Sequence, residues 1–160
     1  MEKSGKKISS KKLVIFTLIS LVFFLIIKLL FSQLVINISD SHEGTLFLKS
    51  EDFAKVDDYI YLNFSHPILP KSVKVLSKKL VCVGGQNLKI DDNFITCDQR
   101  KYKIHRNEKT KNGTRIDQFF FTGLVPNDKA VIWGNNPSSF DSRYFGFVSS
   151  IKLKKMEIIF

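Results

Sequence analysis

Three polar stretches of this chain carry side chains capable of covalent chemistry. The loop Asn37–Leu48 holds Ser39, Ser41, His42 and Glu43. The segment Lys78-Lys79-Leu80-Val81-Cys82-Val83-Gly84-Gly85-Gln86 sets two lysines before an apolar run and a glycine turn. The run Gly134–Val148 packs Ser138, Ser139, Asp141, Ser142, Arg143 and Tyr144 behind a short apolar strand. A serine hydroxyl at neutral pH is a weak nucleophile and needs a base beside it. Histidine is the usual choice, and the candidates are His42, His66 and His105. His42 adjoins Ser41, and neighbouring side chains of an extended segment point apart. His66 precedes Pro67 in a turn, and His105 lies in a basic, polar stretch. A Ser-His-Asp arrangement would therefore draw on His66 or His105 with Asp58 or Asp141. A lysine is the other option, provided that burial destabilises its ammonium and brings its pKa down from the ordinary value of about 10.4.

These groups have to be held by a small framework. Leu13–Phe31 is apolar for 19 residues except for Lys28, close to the length of about 20 residues that a bilayer-crossing helix needs. Lys28 lies near the end, where a long side chain reaches the headgroups. Residues 1–12 hold five lysines and one glutamate, so they carry +4 of the formal net charge of +10. A basic flank stays in the cytoplasm, which puts the rest of the chain outside. A cleaved secretory signal is the competing reading, but Ser32-Gln33-Leu34-Val35-Ile36 offers no small-x-small cleavage site. We expect a cytoplasmic tail over 1–12, an anchor over 13–34 and one extracytoplasmic domain over 35–160, large enough for a single core.

Beyond the anchor, short β-branched and aromatic runs alternate with turns. Strands are expected at Thr45–Leu48, Tyr59–Phe64, Ser72–Leu76, Leu80–Val83, Asn93–Thr96, Lys101–His105, Gln118–Phe121, Ala130–Trp133 and Tyr144–Ile151, with a last one in Ile151–Phe160. The turns between them carry Gly, Pro, Asn and Asp. No later segment has the helical stripe of a second large helix, so the fold class is mainly β, with curved, partly closed sheets. The positive charge comes without a recognition helix, zinc spacing or aromatic-basic RNA motif, which argues against nucleic acid as a partner. Cys82 and Cys97 fit no metal pattern. In an oxidising compartment they would close a loop of 16 residues, worth about 3 kcal/mol by chain entropy. Nothing calls for a cofactor or a metal.

The C-terminal run Ser139-Phe140-Asp141-Ser142-Arg143-Tyr144-Phe145-Gly146 resembles the last conserved box of type I signal peptidases, membrane serine proteases whose general base is a lysine. Lys78–Gln86 resembles their lysine box Lys-Arg-Val-Val-Gly-x-Pro-Gly-Asp, with Cys82, Gly84 and Gln86 in place of glycine, proline and aspartate. Asn37-Ile38-Ser39-Asp40-Ser41, with Phe47 six residues on, resembles the serine box of the TraF-type conjugative transfer peptidases, although Glu43 stands where proline is commoner. Asp57-Asp58-Tyr59-Ile60-Tyr61 resembles the Gly-Asp-x-Val strand between those boxes.

The resemblance implies a signal peptidase/LexA-like β domain and a role for each matched residue. Ser41 is the nucleophile and Lys78 the base. Ser39 adds a hydroxyl to the oxyanion hole, where one donor is worth about 3–4 kcal/mol. Ser139 orients the lysine amine. Asp141 and Arg143 brace the loop, and Gly134 and Gly146 allow close packing. The strand at Asp57–Tyr61 would be an edge that pairs with extended substrate. The implied protein is a single-pass enzyme of a bacterial inner membrane, with its peptidase domain on the extracytoplasmic side, that removes leader peptides from exported precursors. The TraF-type likeness points to conjugation or type IV secretion, with a pilin precursor as substrate and membrane lipid and other transfer components as partners. Two alternatives are an idle assembly subunit of a transfer apparatus and a self-cleaving Ser-Lys protein of the LexA kind. The latter would bring a DNA-binding domain where this chain has an anchor.

Overall fold

The computed structural model describes residues 10–36, 46–110, 112–151 and 153–159. Backbone contacts divide the chain into two units, Met1–Val35 and Ile36–Phe160.

In the first unit, α1 spans Ser10–Ser32, and none of its residues is buried. Its 23 residues rise about 35 Å, against a hydrocarbon layer of about 30 Å. By length and composition the helix can cross a membrane. Its hydroxyls turn back on its own backbone: Thr17 Oγ1 donates to the Leu13 carbonyl and Ser32 Oγ to that of Leu29. Such pairing spares an apolar surrounding any unsatisfied donor. A three-residue strand, β1 (Leu34–Ile36), follows.

The second unit is mainly antiparallel β. Its strands are β2 (Leu46–Phe53), β3 (Tyr59–Asn63), β4 (Val75–Val83), β5 (Asn87–Ile90), β6 (Phe94–Cys97), β7 (Arg100–Lys103), β8 (Phe121–Leu124), β9 (Lys129–Trp133), β10 (Val148–Ser149) and β11 (Lys154–Ile158). The larger sheet runs β2-β11-β3-β4-β9-β10 and the smaller β7-β6-β5-β8. One core cluster gathers Ile60, Leu80, Ala130, Ile132, Val148 and Leu153. The other gathers Val81, Cys82, Leu88, Ile90, Ile95, Cys97, Ile104, Val125 and Val131. Strand β4 serves both. Its register against β9 slips between Leu80 and Cys82, and such a bulge breaks the alternation of faces. Leu80 thus joins the first cluster, and Val81 and Cys82 both join the second. A Cys82–Cys97 disulfide ties β4 to β6 across the two sheets.

Several expected elements are redrawn. Of the strand expected at Ser72–Leu76 only Val75 and Leu76 are in a strand, and they are continuous with Leu80–Val83 in β4, because the polar Ser77-Lys78-Lys79 between them stays paired to β3. Asn87–Ile90 is a strand the sequence reading passed over. It is short and carries Lys89, but Leu88 and Ile90 alternate into the core. The strand expected at Gln118–Phe121 begins at Phe121. Tyr144–Ile151 does not start as a strand: Asp141 caps a helical turn, α2 (Ser142–Phe145), with Gly146 at its C-cap. Strand β3 is not an edge. It pairs with β4 on one side and with β11, returning from the C-terminus, on the other. It therefore has no free side for a substrate strand.

Candidate active site

Lysine 78 sits in the middle of β4, opposite Ile60 of β3. Alternation along a strand puts residues i and i+2 on one face, so Lys78 shares the inward face with Leu76 and Leu80. It is 3% exposed. Its Nζ donates to the Ser139 hydroxyl at 2.8 Å. Burial of the ammonium brings its pKa down to about 8; the Asp141 carboxylate pulls it up, and the Arg143 guanidinium pushes it further down. A lysine on the next inward register of a strand, with apolar neighbours on both sides, is desolvated by the sheet itself.

Ser139 is held by the loop between β9 and α2. Its backbone N–H donates to the Asn136 carbonyl, closing a turn, and its carbonyl accepts from Arg143 Nη2. The Asp141–Arg143 pair is the hub of this loop. One Asp141 oxygen accepts from the backbone N–H and the Nε of Arg143, and the other accepts from Arg143 Nη2 at 2.7 Å and from the Gly134 N–H at 2.8 Å. Arg143 also reaches the carbonyls of His105, Gly134 and Asn136. Both side chains are shut off from solvent, at 0% and 1% exposure. A charged pair that buried survives only when its remaining hydrogen-bonding positions are filled, as they are here. Gly134 is buried at the start of the loop. Gly146 has φ +76, and a Cβ there would lie 3.1 Å from the Phe119 ring. Ser142 Oγ accepts from the Ile132 N–H, which ties the helical turn to β9.

Lys78, Ser139, Asp141, Arg143, Gly134 and Gly146 are thus gathered into one region by two segments about 60 residues apart in the chain. Ser39 and Ser41 lie outside the described residues. Among the described residues, neither the His66 nor the His105 side chain is paired with Asp58 or Asp141. His66 Nδ1 accepts from the Ile68 N–H, Asp58 accepts from the Lys55 N–H, and Asp141 is saturated by Arg143 and Gly134. Two supporting groups were not read from the sequence. Arg106 binds the carbonyls of Asp91, Phe119 and Arg143, holding the smaller sheet to the α2 segment. Asp57, at φ +78, collects Lys79 and Arg100 and the Tyr102 hydroxyl. Charged residues in a charge-rich sequence give no local sign that they converge.

The family model described as signal peptidase, peptidase S26, matches residues 10–156. Among solved structures, a signal peptidase I from Enterococcus faecalis V583 matches at 21% identity and a TM-score of 0.43, covering 68% of this chain and 99% of its own. No curated protein matches the chain. The family match takes in the apolar helix, the lysine strand and the Ser139–Gly146 loop in a single span, and with it the chain belongs to the signal peptidase family, peptidase S26.

Proposed function

We propose that this family member is a membrane-anchored serine endopeptidase that uses a Ser41/Lys78 dyad to release leader peptides from exported precursors. The observation that carries the reading is the buried Lys78 amine on the Ser139 hydroxyl. With a pKa of about 8, roughly a tenth of Lys78 is neutral at pH 7, about 300 times the fraction of an unperturbed lysine. Neutral Lys78 takes the proton of Ser41 Oγ as that oxygen attacks the scissile carbonyl. The Ser41 N–H and the Ser39 hydroxyl stabilise the oxyanion. The ammonium then protonates the leaving amine, and the regenerated amine activates the water that cleaves the acyl-enzyme. Ser139 keeps the amine aimed through both steps. Asp141 and Arg143 keep Ser139 in place.

In this reading α1 holds the enzyme in a bacterial inner membrane with residues 35–160 outside, where the lysine-rich tail orients it. The TraF-like serine box supports a precursor of a conjugative or type IV secretion apparatus, such as a pilin, as substrate. The test is a mass-spectrometric comparison of exported-protein N-termini from cells carrying wild type or Ser41→Ala. A small set of mature N-termini lost in the variant is expected. Identical N-termini, with the variant folded and the transfer genes expressed, would replace the enzyme by an assembly subunit.

A further inference from the structure

A cleft of about 400 Å³ opens between the β3–β4 loop, the segment before β8 and α2, and its lining includes Phe64, His66, Asp117, Phe140, Tyr144 and Phe145. It shares the 139–145 loop with the Lys78 site, since Phe140 follows Ser139 and Tyr144 follows Arg143. Its aromatic wall is continuous. Phe64 stacks on His66 and tilts against Phe145, and Phe140 contacts His66, Tyr144 and Phe145, with ring centroids 4.6–6.2 Å apart. His66 Nδ1 accepts from the Ile68 N–H, which fixes the ring's orientation in this wall. The exposed acid is Asp117. It has no ion-pair partner among the described residues. The neighbouring Arg106 and Arg143 are engaged by carbonyls and by Asp141.

Aromatic faces carry negative quadrupole density and attract cations. A cleft walled by such faces, with one unpaired carboxylate and no lysine or arginine in its lining, complements an apolar stem that ends in a positive charge. We propose that this cleft is a recognition site for a lysine or arginine side chain of the precursor polypeptide, seated beside the scissile bond. The proposal rests on the peptidase reading only for the identity of the polypeptide. It is sharpened by the background field: a chain of formal net charge +10 repels cationic peptides at long range, so a preference for lysine has to come from a local site.

The test uses the full-length chain carrying Ser41→Ala in detergent micelles, so that binding is read without turnover. The probes are fluorescein-labelled decapeptides of alanine, glycine and serine, with one lysine moved along the sequence, and the matching norleucine set. At one register the lysine peptide is expected to bind about tenfold more tightly than its norleucine partner, the span of one or two desolvated cation–π contacts. Asp117→Asn should remove that preference and leave norleucine binding unchanged. Equal or tighter binding of norleucine at every register, a lysine preference that survives Asp117→Asn, or no binding by any lysine peptide would each overturn the proposal. The peptidase reading fails separately, through unchanged exported N-termini, and leaves these binding outcomes intact.

Discussion

Replacing Lys78 by methionine should make the protein more stable at neutral pH and less stable at high pH. Methionine keeps the length and the apolar stem but removes the charge. Holding a lysine in the fold at a pKa of about 8 instead of 10.5 costs about 3 kcal/mol whenever the group is protonated in both states. The substitution also strips the Ser139 hydroxyl of its donor, a loss of about 1 kcal/mol. The net gain at pH 7 is therefore about 2 kcal/mol. Between pH 8 and 10.5 the unfolded wild-type chain binds a proton that the folded chain does not, so wild-type stability rises with pH across that window. Above it the charge penalty is gone and only the hydrogen bond remains, leaving the variant about 1 kcal/mol the weaker. The two stability curves must cross between pH 8 and 10.5. Urea unfolding of both full-length chains in micelles, with the disulfide intact, reads this through the single tryptophan, Trp133, which packs against the core around Val131. A stability difference that stays constant from pH 7 to pH 10.5 would refute the burial argument, because no other consequence of the substitution titrates over that window.

The same titration should govern the reaction: kcat/KM on a precursor peptide is expected to rise about tenfold per pH unit up to about pH 8 and then level off. A limb that ends near the ordinary histidine range would exclude Lys78 as the base. Ser139→Ala should lower kcat by about 10- to 100-fold with KM little changed, since it frees the amine from its 2.8 Å partner without touching the substrate. An equal loss in KM would place Ser139 in substrate binding instead. Arg143→Met leaves Asp141 buried and unpaired and should cost about 3–5 kcal/mol in urea unfolding. Asp141→Asn combined with it should recover part of that loss, and a double variant no better than the single would contradict the pairing. Gly146→Ala meets both a positive φ and the Phe119 ring and should lower stability by about 1–3 kcal/mol, measured the same way.

The structure also shows why some elements were legible and others were not. The apolar run of α1 and the turn-bounded strands β3, β6 and β9 announce themselves through composition that depends on near neighbours alone. Strand β4 was read as two because Ser77-Lys78-Lys79 looks like a polar break. Only pairing with β3, whose register no local pattern states, carries the backbone through it. The helical turn at Ser142–Phe145 was hidden in an aromatic run of strand-like composition, and the Asp141 cap that decides it is also the Arg143 partner. Strand β3 was expected at an edge because nothing in its own residues reveals that β11 returns beside it.

What the sequence alone determined was the chemistry on offer and its order along the chain: a span long and apolar enough for a membrane, a serine-bearing loop, a lysine before a glycine turn, and a Ser-x-Asp-Ser-Arg loop. Those follow from residue type and spacing. The tertiary structure decided which of many lysines is desolvated, that its amine meets a hydroxyl 61 positions away, and that aromatic residues from separate loops enclose a cleft beside an unpaired acid. Burial and long-range pairing belong to the packed sheets, and the dielectric around Lys78 exists only once those sheets have closed over it.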